Sequence, residues 1–380
     1  MADTMRTTRS HNGSAPIAWR SVRAWWGSLD PALVTVTAAL ILIGLVLCLA
    51  AGPVAAARIG ISNPMHFFER QIVFLVPALL VMATLSTLDA LTARRLGVVL
   101  GAGAFFAMWL ALLVGPEIKG AHRWLDLGPF SLQPSEFMKP GFVIASAWFL
   151  AEGARDRSFP GGIVSLGLYL ACSATLLLQP DYGQWILLTA IWGVMFFIAG
   201  WSWAWIAGLG TAAAGALALG YRIAPHVRSR IDRFLNPEGN DTYQTDKALE
   251  AISGGGALGH DLHGTEGVKA SLPDAHTDFV FAVAGEEFGF LLCALILALF
   301  AAIAFRGFKF AGETRSVFLR CAVCGLSAQL AFQATVNIGV NLSVLPAKGM
   351  TLPFVSYGGS SLVATGIAMG LLLALTRRRT

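Results

Sequence analysis

The sequence predicts an all-α integral membrane protein: a polytopic bundle of about ten transmembrane helices, with a long extracytoplasmic loop between spans seven and eight. Three observations carry this. Of the 380 residues, 56% are hydrophobic and only 13% are charged, against roughly 25% charged in soluble domains. Apolar runs of spanning length recur along the chain. Basic residues collect in alternate connecting segments, the positive-inside pattern. The same composition excludes a disordered or nucleic-acid-binding chain, and the formal charge of +5 follows from topology rather than from an anionic partner.

Residues 1–30 are rich in Ser, Thr and Arg and are expected to form a disordered cytoplasmic tail. Trp19, Trp25 and Trp26 suit an interfacial stretch before the first span. No cleavable signal is evident. The first apolar run begins near Pro31 and is long enough to span, so it reads as a retained anchor. The expected spans are 32–52, 71–90, 96–115, 134–152, 161–179, 183–200, 202–221, 279–304, 317–340 and 355–376. With both termini inside, the cytoplasmic segments hold 15 of the 27 Lys and Arg residues, while the short outer loops hold few. This leaves 222–278 outside as one long segment of mixed charge. No internal repeat of the kind that builds many transporters is visible. Of the five cysteines, only Cys321 and Cys324 have metal or redox spacing; lying in an apolar run without a second pair, they read as packing.

Five constellations carry candidate chemistry. The first outer loop holds Lys119, Arg123 and Trp124; arginine forks onto phosphate and tryptophan lies on a sugar ring or at the lipid interface. It leads into Gln133-Pro-Ser-Glu136-Phe-Met-Lys139, where Pro134 suits a first helical turn and Glu136 and Lys139 are i,i+3 neighbours just inside the membrane. They read either as a structural ion pair or as the lining of a substrate cavity. Asp181, in Gln179-Pro-Asp-Tyr-Gly183, reads as a helix cap or a binding group. In the long loop, Arg222, Arg228, Arg230 and Arg233 would attract a lipid phosphate or simply solvate a helix. The run Ser253-Gly-Gly-Gly-Ala-Leu-Gly259 lacks a Walker lysine and strand context, which argues against a nucleotide site and leaves a flexible loop.

The fourth constellation is Leu272-Pro-Asp-Ala-His276-Thr-Asp278, followed at once by an apolar run containing Glu286 and Glu287. Carboxylates near hydrocarbon usually mark function. A helix beginning at Asp278 would place Glu286 roughly 80° and Glu287 about 180° around from it, so the two glutamates cannot share its face. Asp278 reads as a helix cap or as a functional acid on the outer face, and His276 as a group that orients it or touches substrate. The fifth runs from Asn337 and Asn341 through Leu345-Pro-Ala-Lys348-Gly to Pro353-Phe-Val-Ser356-Tyr-Gly-Gly-Ser360-Ser361. It predicts a re-entrant or broken helix start, buried or lining a cavity. Free amides with Ser356, Ser360 and Ser361 predict an anion site there.

These motifs, five in order from the first span to the last, resemble the SEDS family (shape, elongation, division and sporulation), and the Lys348-Gly-Met-Thr-Leu-Pro wording is most similar to its cell-division member, with the elongation member second. Asp274 stands where the family commonly has glutamate. The resemblance implies a peptidoglycan glycosyltransferase in the bacterial inner membrane, active towards the periplasm at the division septum. Its substrate would be lipid II, a disaccharide-peptide on undecaprenyl diphosphate. Its partners would be a class B penicillin-binding protein and other divisome proteins. The resemblance assigns the essential acid to Asp278.

The chemistry is consistent with one acid. The 4-hydroxyl of one lipid-linked sugar attacks the anomeric carbon of another, and the leaving group is already a diphosphate. Glycosidases use two carboxylates partly to protonate a poor leaving group; here one general base suffices, with cations or N–H groups on the diphosphate. Arg123, Lys348 and the 222–233 arginines are the candidate cations, and a divalent cation, magnesium or manganese, could supplement them. The competing expectations are a lipid II flippase, with Glu136, Lys139, Glu286 and Glu287 lining a headgroup path, and a divisome scaffold without chemistry.

Overall fold

A computed structural model of the chain describes residues 17–118, 120–128, 130–201, 203–223, 228, 232, 243–259, 267, 271–346 and 349–377. Each of the ten expected spans is a helix: α2 (Pro31–Arg58), α3 (His66–Ser86), α4 (Ala90–Val114), α5 (Pro134–Arg155), α6 (Gly161–Leu178), α7 (Tyr182–Ile198), α8 (Trp203–Ile223), α10 (Val280–Glu313), α11 (Val317–Asn341) and α12 (Gly359–Thr376). They are preceded by α1 (Ile17–Ser28), and α9 (Tyr243–Gly254) lies in the long loop. A two-residue hairpin, β1 (Leu125–Asp126) with β2 (Ser131–Leu132), occupies the loop before α5.

Local signals set the boundaries. Asp30 caps α2 by accepting from the Ala32 and Leu33 amides at 2.9 and 3.2 Å, with Pro31 at the first helical position. Asp89 caps α4 and starts it six residues earlier than hydropathy suggests; polar Thr92, Arg94 and Arg95 had hidden that first turn. Residues 17–28, expected in a disordered tail, are helical, and the Trp25 indole donates to Ser86 Oγ at 3.2 Å.

α5, α11 and α12 form the centre. In α5 the residues from Pro134 to Ala147 are buried almost without a break, and the hydrophobic core runs through all three helices. α3 packs on α12, and α4 on α5. The α4–α5 crossing is very close because Gly101 meets Gly141; a Cβ on Gly141 would lie 2.2 Å from the Gly101 Cα. Small residues allow such backbone contact between membrane helices, where dispersion rather than the hydrophobic effect holds the pair. Apolar side chains of α3, α4 and the outer part of α10 stay exposed, as lipid-facing surfaces do.

Contacts among helix termini and loops define two ends of the bundle. At one end Arg306 pairs with Asp30 and the Arg377 guanidinium donates to the Thr87 carbonyl. At the other end Arg58 reaches the Ser271 carbonyl, Arg123 the Gln179 carbonyl, and Gln133 N the Ser360 hydroxyl. Asp278 lies at this second end.

The glycine-rich run 253–259, expected to be a flexible loop, is a packing element. α10 breaks at Gly289 (φ 75°, ψ −175°), which strands amide groups beyond the break. Phe290 N donates to the Gly256 carbonyl at 2.9 Å and Leu291 N to the Ala257 carbonyl at 3.3 Å. Side chains would prevent this: a Cβ on Gly255 would meet the Gly285 carbonyl at 2.0 Å and one on Gly259 the Glu287 carbonyl at 2.1 Å. The glycines therefore dock α9 onto the first two turns of α10.

Candidate active site

The segment bearing Asp278 is a compact turn. Asp274, in the left-handed region at φ 54°, offers its carbonyl to the amides of Thr277, Asp278 and Phe279 at 3.0, 3.1 and 3.3 Å. α10 then starts at Val280 with Phe279 as a cap residue lacking any side-chain capping bond. Asp278 is thus not the first helical residue, and the expected capping role and helical angles from it do not apply. The Ala282 amide in the first turn is shared between the Phe279 carbonyl and, from another helix, Asn341 Oδ1, each at 3.0 Å.

The loop between α11 and α12 lies against this turn. Its irregular backbone is buried, with Met350, Leu352, Phe354 and Val355 in the core, as expected for non-helical chain at membrane depth. A Cβ built on Gly349 would lie 3.2 Å from Asp278 Oδ2, so the carboxylate sits directly over that glycine. Of the four non-glycine residues with positive φ among the described residues, three flank this place: Asp274, Ser343 at 56° and Phe354 at 63°. Such strain persists where surroundings over-determine the backbone and clusters at functional sites.

The serines of this loop are committed internally. Ser356 Oγ donates to the Thr277 carbonyl at 2.6 Å and accepts from Leu352 N at 2.8 Å. Ser360 Oγ donates to the Ser131 carbonyl at 2.9 Å and accepts from Gln133 N at 3.2 Å. Ser361 and Thr351 share a 2.5 Å hydrogen bond. These hydroxyls tie loops together rather than standing open to an anion.

His276 packs its ring against Phe67 of α3 and Tyr357 of this loop. Its ring centroid is 4.1 Å from that of Phe67 and 5.5 Å from that of Tyr357, and its carbonyl accepts from Tyr357 N at 3.0 Å. Burial pushes its pKa down to about 4, only partly opposed by Asp274, so the ring is neutral at pH 7. The unfolded state therefore binds a proton between about pH 6.5 and 4 that the folded state does not, and stability falls as pH is lowered through that window. The thermal midpoint of the wild type should drop between pH 7 and 5, while His276→Phe, which keeps the stacking and cannot titrate, should drop less; parallel curves would contradict this.

The other predicted residues form a second cluster at the same end. Arg123 is half-buried and donates to the Gln179 carbonyl at 2.8 Å and the Pro180 carbonyl at 2.5 Å, with Asp181 Oδ2 3.9 Å from its Nη1. Asp181 caps α7 through Gln184 N at 3.3 Å. Desolvation raises the Asp181 pKa and Arg123 opposes the rise. Beneath it Glu136 and Lys139 pair at 2.8 Å, their side chains 6% and 1% exposed. Gln184 Nε2 donates to Glu136 Oε1 at 2.5 Å, and Lys139 Nζ to Gln333 Oε1 at 2.8 Å. Gln333 Nε2 donates onward to the Thr351 carbonyl at 3.0 Å. Trp124 is half-buried above Gly115.

Lys119 and Lys348 lie outside the described residues, as do Arg230 and Arg233. Arg228 pairs with Asp232 at 3.5 Å. Among the described residues no three His, Cys, Asp or Glu side chains converge as a metal-holding group. Arg70 was missed from the sequence: it is exposed near Tyr357, whose pKa burial raises and the Arg70 charge opposes; its only signal was an arginine at the outer start of an apolar run.

The FtsW/RodA/SpoVE family, described as cell cycle proteins, matches residues 31–380. "Probable peptidoglycan glycosyltransferase FtsW" of Caulobacter vibrioides is 41% identical over 93% of this chain and 91% of its own length. Stage V sporulation protein E of Bacillus subtilis is 33% identical over 92% and 97%. Among solved structures, a chain from work on structural coordination of polymerization and crosslinking by a peptidoglycan synthase complex superposes with TM-score 0.76 at 31% identity, covering 92% of this chain and 98% of that one. Rod shape determining protein RodA of Thermus thermophilus superposes at 0.68 with 29% identity, covering 93% and 99%.

Proposed function

This chain belongs to the FtsW/RodA/SpoVE family, and from that membership and the site geometry we propose that it is a peptidoglycan glycosyltransferase polymerising lipid II with Asp278 as general base. The observation that carries the assignment is the placement of Asp278: a carboxylate held over a glycine by a buried, strained loop at one end of the bundle. The Asp278 carboxylate takes the proton of the acceptor 4-hydroxyl as its oxygen bonds to the donor's anomeric carbon. The bond from that carbon to the diphosphate breaks, and the electron pair leaves with the diphosphate. Arg70, Lys119, Lys348 and the 222–233 arginines are the cations for the diphosphate, and Trp124 is the surface for a sugar ring. Arg123, already bonded to two carbonyls and close to Asp181, holds the outer hairpin against the α6–α7 turn.

The finer reading places both termini in the cytoplasm of a bacterial inner membrane and the Asp278 end towards the periplasm. It places the enzyme at the division septum beside a class B penicillin-binding protein and other divisome proteins. The basic-residue asymmetry supports the orientation, and the 41% identity to the named FtsW relative supports division over elongation. The test is purified chain with labelled lipid II, alone and with its cross-linking partner. Glycan polymer is expected. Translocation of lipid II across vesicles without polymer would instead make it a flippase.

A further inference from the structure

Three amide side chains, Gln333, Asn337 and Asn341, are spaced i, i+4, i+8 and so line one face of α11. All three are buried. Apart from the two bonds from Asn341 to Asn337, each spends its amide on a backbone or side chain of a different segment. Gln333 joins Lys139 of α5 to the Thr351 carbonyl. Asn337 Nδ2 donates to the Asp278 carbonyl at 2.8 Å and to the Met350 carbonyl at 2.6 Å. Asn341 Nδ2 donates to the same Asp278 carbonyl at 3.0 Å and to the Asn337 carbonyl at 2.9 Å, while its Oδ1 accepts from Ala282 N at 3.0 Å.

We infer that Asn337 is the positioning residue for Asp278: its single amide nitrogen bridges the chain carrying the acid to the chain carrying Gly349 and Met350, and so fixes the carboxylate over Gly349. The inference rests on the reading of Asp278 as general base. Two N–H groups are needed, because the bridged groups are both carbonyls and neither can donate. The bridge spans the place where Oδ2 sits 3.2 Å from the position of a Gly349 Cβ, so losing it loosens the carboxylate over Gly349 while Ser356 and Tyr357 still tie the rest of the loop to the turn. Asn341 acts beside it, giving the Asp278 carbonyl a second donor and capping α10. Carbonyl oxygens have two lone pairs, so both donors are accommodated.

Asn337→Asp is the informative variant. It keeps the volume and shape of asparagine but turns the donor into an acceptor facing two carbonyls, and it adds charge near Asp278. Turnover of lipid II should fall about 100-fold, the loss that an ångström of misplacement produces, with KM within about twofold. The acid limb of the residual pH–rate profile should move to higher pH, since a nearby like charge raises the pKa of the base. Wild-type turnover and an unshifted acid limb in folded Asn337→Asp would overturn the inference. If that variant does not fold, Asn337→Ser, whose single short hydroxyl cannot bridge both carbonyls, must lower turnover at unchanged KM; wild-type turnover there overturns it equally. Asp278→Asn is run in parallel. If it polymerises normally, the general-base reading has failed and the inference with it. If it is inactive while Asn337→Asp is normal, only the positioning role has failed.

Discussion

Lys139→Met should destabilise the protein by about 3–5 kcal/mol, the range for removing one partner of a buried ion pair. Lys139 is 1% exposed, its ammonium bonded to Glu136 and Gln333 at 2.8 Å each. Methionine fills much of the same volume, so packing is a minor part of the loss. The larger part is electrostatic: Glu136 keeps the bond from Gln184 but loses its counter-charge while buried. Glu136→Gln combined with Lys139→Met removes both charges and should recover most of the loss, because a buried pair is itself worth little relative to a neutral replacement. The thermal midpoint in detergent distinguishes these cases. Equal midpoints for the single and double variants would show that packing, not charge, dominates here. The single variant should also lose activity, since Gln333 links the pair to Thr351 and the loop over which Asp278 sits.

The ten spans were legible because hydrocarbon selects for long apolar runs and each run became a helix, with Asp30, Asp89 and Asp181 as local caps. The Glu136–Lys139 contact was legible too, since i,i+3 spacing on a helix leaves little choice. What the chain did not reveal was long-range. The way α10 begins was hidden because three successive amides turn back onto Asp274 and a first-turn amide, Ala282 N, is shared with Asn341, 59 residues away. Residues 253–259 looked like a flexible loop because glycine signals backbone freedom and close backbone approach alike; only the break at Gly289 decides between them. The hydroxyls of Ser356 and Ser360 suggested an anion site, yet each is engaged with a segment 79 and 229 residues away. His276 looked like a partner for the acid by sequence proximity, whereas its ring belongs to Phe67 and Tyr357.

Asp278→Asn has the largest expected effect on activity. The amide keeps the shape of the carboxyl and the turn that holds it, but it cannot accept the proton of a sugar hydroxyl. General-base catalysis contributes typically 10²–10⁴-fold, and loss of that order is expected in turnover with lipid II binding largely retained. The backbone bonds from Asn337 and Asn341 are made to the carbonyl, not to the side chain, so the fold should survive and the thermal midpoint should stay close to wild type.

The most direct measurement is therefore glycan chain formation from purified lipid II by wild type, Asp278→Asn and Asp278→Ala, each shown to be folded and each assayed with the cross-linking partner. The account predicts polymer from the wild type and none above background from either variant. Normal polymer from folded Asp278→Ala would contradict it.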